Sequence, residues 1–188
     1  MPTITYDELI SSFLRKGEIL NLFTEDITDE YRNEFLWGLI YSAVSDPYVS
    51  RLFNNITIND PTEKLDEDGG VVVDEETGEP VIVEGHIEYE LVREINESLD
   101  KMFIVDVIGY GMIVQWLMPL VFSTVNLTQM YGTSAEKFYA QANHTAVNNE
   151  VLDKAIYLQR KLIRDRGLTN NSYIDGTSYS SRLRSGES

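Results

Sequence analysis

The stretch MFIVDVIGYGMIVQWLMPLVF, Met102 to Phe122, decides how the rest of the chain is read. Only Asp106 and Gln115 in it are clearly polar. Its length and apolarity approach the roughly 20 residues that cross a bilayer. Three features speak against a membrane span. Asp106 lies inside the run with its nearest basic residue in sequence, Lys101, outside it, and a carboxylate in lipid is costly. Gly109, Gly111 and Pro119 divide the run into shorter pieces. The preceding ESLDK is mainly acidic, where a cytoplasmic flank carries Lys and Arg. The stretch is therefore expected to be the buried centre of a soluble helical domain, kinked at Gly109-Tyr110-Gly111. Trp116 and Leu117 belong to its core, and no membrane is expected as a partner.

Upstream, Ile87, Leu91, Ile95, Leu99 and Met102 recur every three or four residues. Glu88, Glu90, Arg93, Glu94, Glu97 and Asp100 fill the other face, so the spacing predicts an amphipathic helix running from His86 into the apolar stretch. Downstream, Ser123 to Gly132 reads as a connector, and a long final helix is expected from near Ser134 to Gly167. Phe138, Ala142, Leu152, Ala155, Ile156, Leu162 and Ile163 make its apolar line. Lys154, Arg160, Lys161, Arg164 and Arg166 suit the negative end of the helix dipole.

The N-terminal part holds shorter helices. Thr5-Tyr6-Asp7-Glu8 has capping-box spacing, Leu9, Ile10, Phe13 and Leu14 follow as one apolar face, and Gly17 is a natural stop. Glu18 to Ile27 is left as a loop or a single turn. Thr28-Asp29-Glu30 opens a second helix with Tyr31, Phe35, Leu36, Leu39, Ile40 and Ala43 at helical spacing and Trp37 beside them. Asp46-Pro47 begins a brief third turn.

Between these helical parts, about residues 59–85, the composition changes. Val71-Val72-Val73 and Val81-Ile82-Val83 flank DEETGEP. Two readings stand: a β-hairpin projecting from the helical body and able to add to a neighbouring strand, or a surface loop. The carboxylates of NDPTEKLDEDGG lack the calcium-loop pattern, which needs Glu six residues after its Gly, so a solvated acidic loop is favoured over a metal site.

The net charge of -16 is uneven. Residues 1–153 carry 8 Lys/Arg against 28 Asp/Glu, and residues 154–188 carry 7 against 3. Such a body does not grip DNA phosphates, but its basic end suits an acidic partner or an acidic part of another copy. No cysteine and only His86 and His144 are present. No catalytic grouping, metal-ligand spacing or phosphate loop is found, so neither an enzyme nor a cofactor is expected. The N-terminus has no signal-peptide pattern, which points to an intracellular protein.

Beyond Gly167, the Ser-, Asn- and Gly-rich segment 168–188 cannot build a core. It holds spaced anchors, Tyr173, Ile174, Tyr179, Arg182, Leu183 and Arg184, which read as an extended arm that folds against a partner. The fold class expected is mainly α: a small helical bundle over residues 1–167, an inserted hairpin and this arm.

Gln115-Trp116-Leu117 in an apolar helix, followed by Lys137-Phe138-Tyr139-Ala140-Gln141-Ala142-Asn143-His144 at the start of a long helix, resembles the head-tail connector (adaptor) proteins of tailed-bacteriophage necks. The similarity covers about Ile113 to Gly167, while the acidic insertion is a departure from it. The resemblance implies a structural protein of the virion neck, assembled in the host cytoplasm into a ring that is dodecameric in the family. Its partners would be neighbouring copies, the portal docked by the arm, a tail or second neck protein below, and DNA passing without specific binding through an acidic lumen. The alternative drawn from charge alone is an acidic DNA mimic that inhibits a nucleic-acid-binding protein.

Overall fold

A computed structural model describes residues 1–17, 28–65, 70–74, 80–122 and 135–169. These residues are mainly helical, with a small amount of sheet. They fall into two compact units, residues 1–112 and 113–188.

The first unit opens on a strand that sequence spacing does not reveal, β1 (Thr3–Thr5), which leads directly into helix α1 (Tyr6–Gly17). The capping box at that junction is formed. Glu8 Oε2 accepts from the Thr5 amide at 3.0 Å, and Thr5 Oγ1 accepts from the Glu8 amide at 3.3 Å. Leu9 and Phe13 are buried, and the helix is described as far as Gly17, so the expected stop there lies at the edge of the described residues. Helix α2 (Asp29–Val44) starts at Thr28, whose hydroxyl oxygen accepts from the Tyr31 amide. Leu36, Leu39, Ile40 and Ala43 are buried, whereas Tyr31, expected on the same face, is exposed. Asp46 caps the single turn α3 (Pro47–Ser50) through a 2.7 Å bond from the Tyr48 amide.

The segment from His86 corrects the sequence reading. It is strand β5 (His86–Leu91), the centre of a three-stranded antiparallel sheet in the order β1-β5-β2, with β2 spanning Phe53–Asn59. Ile87 faces Ile4 on one side and Ile58 on the other. The residues His-Ile-Glu-Tyr-Glu-Leu fit a period of two better than a period of 3.6. Ile87, Tyr89 and Leu91 are buried, while Glu88 and Glu90 point away from the core. Phe53 meets the Tyr89 ring edge-on at 6.1 Å between centroids. The four-residue spacing from Ile87 to Leu91 satisfied both periods, and β-favouring Ile and Tyr with cross-strand partners decided between them.

Helix α4 (Glu97–Phe122) therefore begins eleven residues after His86. Asn96 Oδ1 accepts from the Ser98 and Leu99 amides, as a cap does. Ile95, Leu99 and Met102, assigned to the buried stripe by spacing, are exposed. The decisive stretch is one continuous helix, and Gly109-Tyr110-Gly111 does not interrupt it. Gly109 is there for closeness. A Cβ on it would lie 2.6 Å from Ser12 Oγ of α1, so the missing side chain lets the two helices touch. The Ser12 hydroxyl also donates to the Val105 carbonyl at 3.2 Å. Asp106 is paired as well, with Lys16 at 2.5 Å rather than with Lys101, and the Lys16 ammonium lies 5.0 Å from the Tyr110 ring centre. By length and mean hydropathy (1.7) α4 is apolar enough to cross a membrane, and half of its most apolar window is buried within the protein.

In the second unit the C-terminal part of α4 buries Ile113, Val114 and Leu117, while Trp116 is half-buried. Helix α5 (Ala135–Thr169) continues through Gly167, expected to end it, while the expected start near Ser134 lies at the edge of the described residues. Leu152, Ala155, Gln159 and Ile163 form its buried line. Val151, Lys154, Tyr157, Lys161, Arg164 and Leu168 recur at the same spacing on the exposed side.

Candidate interaction site

The expected docking residues Tyr173, Ile174, Tyr179, Arg182, Leu183 and Arg184 lie outside the described residues, as does the Phe138 side chain. Among the described residues, the most distinctive arrangement for recognition is the excursion between Asn59 and His86.

Its base is fastened on both strands. On the outgoing side, Asp60 Oδ1 accepts two tyrosine hydroxyls, Tyr6 of α1 at 3.1 Å and Tyr41 of α2 at 2.8 Å. On the returning side, the Gly85 carbonyl accepts from the Tyr6 amide at 2.9 Å, and Glu84 Oε1 accepts from the Asp7 amide at 3.2 Å. Gly85 is fixed by space. A Cβ there would lie 2.7 Å from the Tyr6 ring and 2.8 Å from Pro61. Trp37 completes the aromatic seat at 6.1 Å from Tyr6.

Burial first, and then the neighbouring Asp60 carboxylate, push the Tyr6 hydroxyl well above the ordinary tyrosine range. The bond to Asp60, followed by burial, raises Tyr41. Both hydroxyls therefore stay protonated and donating at neutral pH. This is the chemistry of a clamp, holding one carboxylate with two neutral donors.

Beyond the clamp, β3 (Thr62–Glu63) pairs antiparallel with β4 (Ile82–Val83). Single bridges join Leu65 to Val71 and Val73 to Pro80. Three backbone segments close a ring of hydrogen bonds: the Lys64 amide donates to Val81, Val81 to Val72, and Val72 to Lys64, each at 2.7–2.8 Å. The segment is thus backbone-paired, but Ile82–Val83 takes Thr62–Glu63 as its ladder partner, whereas Val71 and Val73, expected to form the hairpin with Val81–Val83, make single bridges. Its apolar side chains nevertheless face out: Leu65, Val71, Val73, Ile82 and Val83 are all exposed. In sequence, residues 60–84 hold ten acidic residues and one lysine.

Two clefts flank the first unit's helices. One, about 460 Å³, is lined by Tyr89, Leu91, Ile95 and Asp100 among others, and the buried Asp100 carboxylate in it accepts from the Ile95 amide at 2.9 Å. The other, about 590 Å³, runs between α1 and α4 past Ser11, Arg15, Met102 and Val105. At its edge Glu8 pairs with Lys101 at 2.8 Å. Partial burial pushes the Glu8 carboxyl up, but Lys101 and the Thr5 amide outweigh this and hold it below the usual carboxylate value. Among the described residues no cluster of three or more His, Asp or Glu is placed to hold a metal.

The two segments that carry the adaptor resemblance both fall on helices, residues 115–117 on α4 and residues 137–144 on α5. No family model, curated protein or solved structure matches the chain.

The clamp was invisible to sequence reasoning because its partners are far apart, and Tyr6 looked like a spacer within a capping box. Its one local signal was the pairing of Asp60-Pro61 with a lone Gly85 at the two ends of a valine-rich excursion.

Proposed function

We propose that the chain is a structural protein of a tailed-bacteriophage neck, one copy of a ring that joins the portal to the tail. In this reading the helical residues through Thr169 are a small helical-bundle adaptor domain, residues 59–85 an acidic hairpin inserted in it, and residues 170–188, shorter by two than the arm first expected, an arm that docks on the portal. The observation that carries it is that the connector-like segments fall on two long helices, the second of 35 residues. The net charge of -16 supports it, because an acidic lumen lets DNA phosphates slide where a basic one would hold them. Catalysis has no part in this role.

The test is co-assembly with the cognate portal, comparing the full chain, a chain lacking residues 170–188, and the Tyr179→Ala/Arg182→Ala variant. Ordering the arm costs on the order of 1–2 kcal/mol per residue, so a few anchors must recover it and their loss should abolish docking. Unchanged attachment of the truncated chain would make the arm passive and remove the adaptor mechanism.

A DNA mimic is the second reading, favoured by the ten carboxylates of residues 60–84. A mimic acts as a single copy and competes with duplex for a nucleic-acid-binding protein. Competition without portal docking would select it.

A further inference from the structure

The described residues of the excursion beyond the clamp, 61–65, 70–74 and 80–83, here called its tip, combine two properties that a solvated acidic loop would not have together. It is ordered by closed backbone pairing, and it turns Leu65, Val71, Val73, Ile82 and Val83 toward solvent. An exposed apolar patch in an acidic stretch of chain is the usual mark of a contact surface. The clamp at Asp60 and Gly85 holds the root of that patch on α1 and α2, which lowers the entropy lost when it binds.

The chain also carries a surface of opposite character. On α5, Val151, Lys154, Tyr157, Lys161, Arg164 and Leu168 form one exposed stripe, opposite the buried line of Leu152, Ala155, Gln159 and Ile163. Residues 154–168 hold five basic residues and one acidic residue, whereas residues 60–84 hold one and ten. Asp165 already engages Lys161 at 2.6 Å and Arg164 at 3.6 Å, but these are surface pairs, which exchange partners at little cost.

We propose that the acidic, valine-rich tip of one copy docks on the basic, Tyr157-centred stripe of α5 of a second copy. The two patches differ, so a single contact leaves a free stripe on one copy and a free tip on the other. Repetition of such a head-to-tail contact generates a ring when its rotation closes. Each patch supplies both terms of recognition. Valine, isoleucine and tyrosine surfaces exclude water, and carboxylates facing ammonium and guanidinium groups set orientation and encounter rate. This contact rests on the ring reading above and names the surfaces that would build the ring.

The experiment uses the full chain and two variants at exposed positions, Val73→Lys/Ile82→Lys on the tip and Tyr157→Glu/Lys161→Glu on the stripe. Circular dichroism first establishes that both keep the wild-type helical signal. Sedimentation velocity then measures self-association at low and high salt. The wild type should associate, and each variant alone should associate at least about tenfold more weakly. The wild-type association should weaken with salt, because exposed charges are screened beyond about 8–10 Å at physiological ionic strength.

The deciding arm mixes the two variants. The tip variant still owns a sound stripe and the stripe variant a sound tip, so the mixture should form a two-chain species and nothing larger. A wild type that stays monomeric at millimolar concentration, variants that associate like the wild type, or a mixture that stays monomeric would each overturn the contact. Rings that still form on the portal with these variants would overturn it while leaving the neck assignment standing.

Discussion

The junction of α1 with α4 and the excursion from Asp60 to Gly85 use similar materials to opposite ends. Both join apolar side chains to carboxylates, and both depend on a glycine where a Cβ would collide. At the junction, Gly109 brings Ser12 against the helix backbone and Asp106 is answered by Lys16, while Phe13, Ile104 and Ile108 are fully buried. In the excursion, Gly85 and Asp60 fasten only the root, and Val71, Val73, Ile82 and Val83 beyond it remain in water. The first region is complete within one chain. The second is ordered but uncovered, which is the state expected of a surface awaiting a partner.

Substitutions should separate the two. The largest loss is expected at Phe13→Ala, which removes a fully buried ring and should cost about 3–5 kcal/mol by chemical denaturation. A loss as small as that of a surface change would mean the junction is not the core. Gly109→Ala comes next. Its methyl must displace the Ser12 hydroxyl, and overpacking of this kind costs about 1–3 kcal/mol. Adding Ser12→Gly should recover part of it, and a double-mutant cycle without coupling would contradict the close approach.

At the root of the excursion, Tyr41→Phe removes one of the two donors to Asp60 and should cost about 1 kcal/mol. The pH dependence carries its own sign. Both tyrosines have folded pKa values above the ordinary value of about 10, so their contribution is fully present below that pH and is lost as the pH rises beyond it. Alkaline unfolding should therefore begin near pH 10 in the wild type and be less steep in Tyr41→Phe, as followed by thermal melts across the pH range. The smallest effect is expected at the tip, where Ile82→Ser should change the stability of the isolated chain by no more than about 0.5 kcal/mol.

How much of this was legible in the sequence follows the same division. Local chemistry was readable: the Thr5–Glu8 box and the Thr28 and Asp46 caps each depend on residues within four positions of one another. What depends on distant partners was not. Strand β5 takes its identity from Ile4 and Ile58, far away in the chain, so its helical spacing misled. Gly109 and Gly111 looked like a break because a glycine's intrinsic cost in a helix is visible in sequence and the helix that needs the space is not. Lys16 answers Asp106 across ninety positions, which no window of sequence could join. Trp116, expected in the core, is only half-buried, whereas Leu117 beside it is buried. Its truncation should therefore cost less than the loss of a fully enclosed ring. The valines left the excursion open between a hairpin and a loop, and only Ile82–Val83 of the two triplets is a strand, paired with Thr62–Glu63; its clamp required Tyr6 and Tyr41 to be placed first.

The most direct measurement is hydrogen exchange of the full chain, dilute and then concentrated enough to associate. Amides of residues 62–65, 71–73 and 80–83 should gain protection on association together with those of residues 151–168, while α1 and the first half of α4 stay as protected as in the dilute chain. An associated chain whose tip exchanges at the dilute rate, or whose new protection lies only on α1 and α4, would contradict the view that the body is folded for itself and the tip for its neighbour.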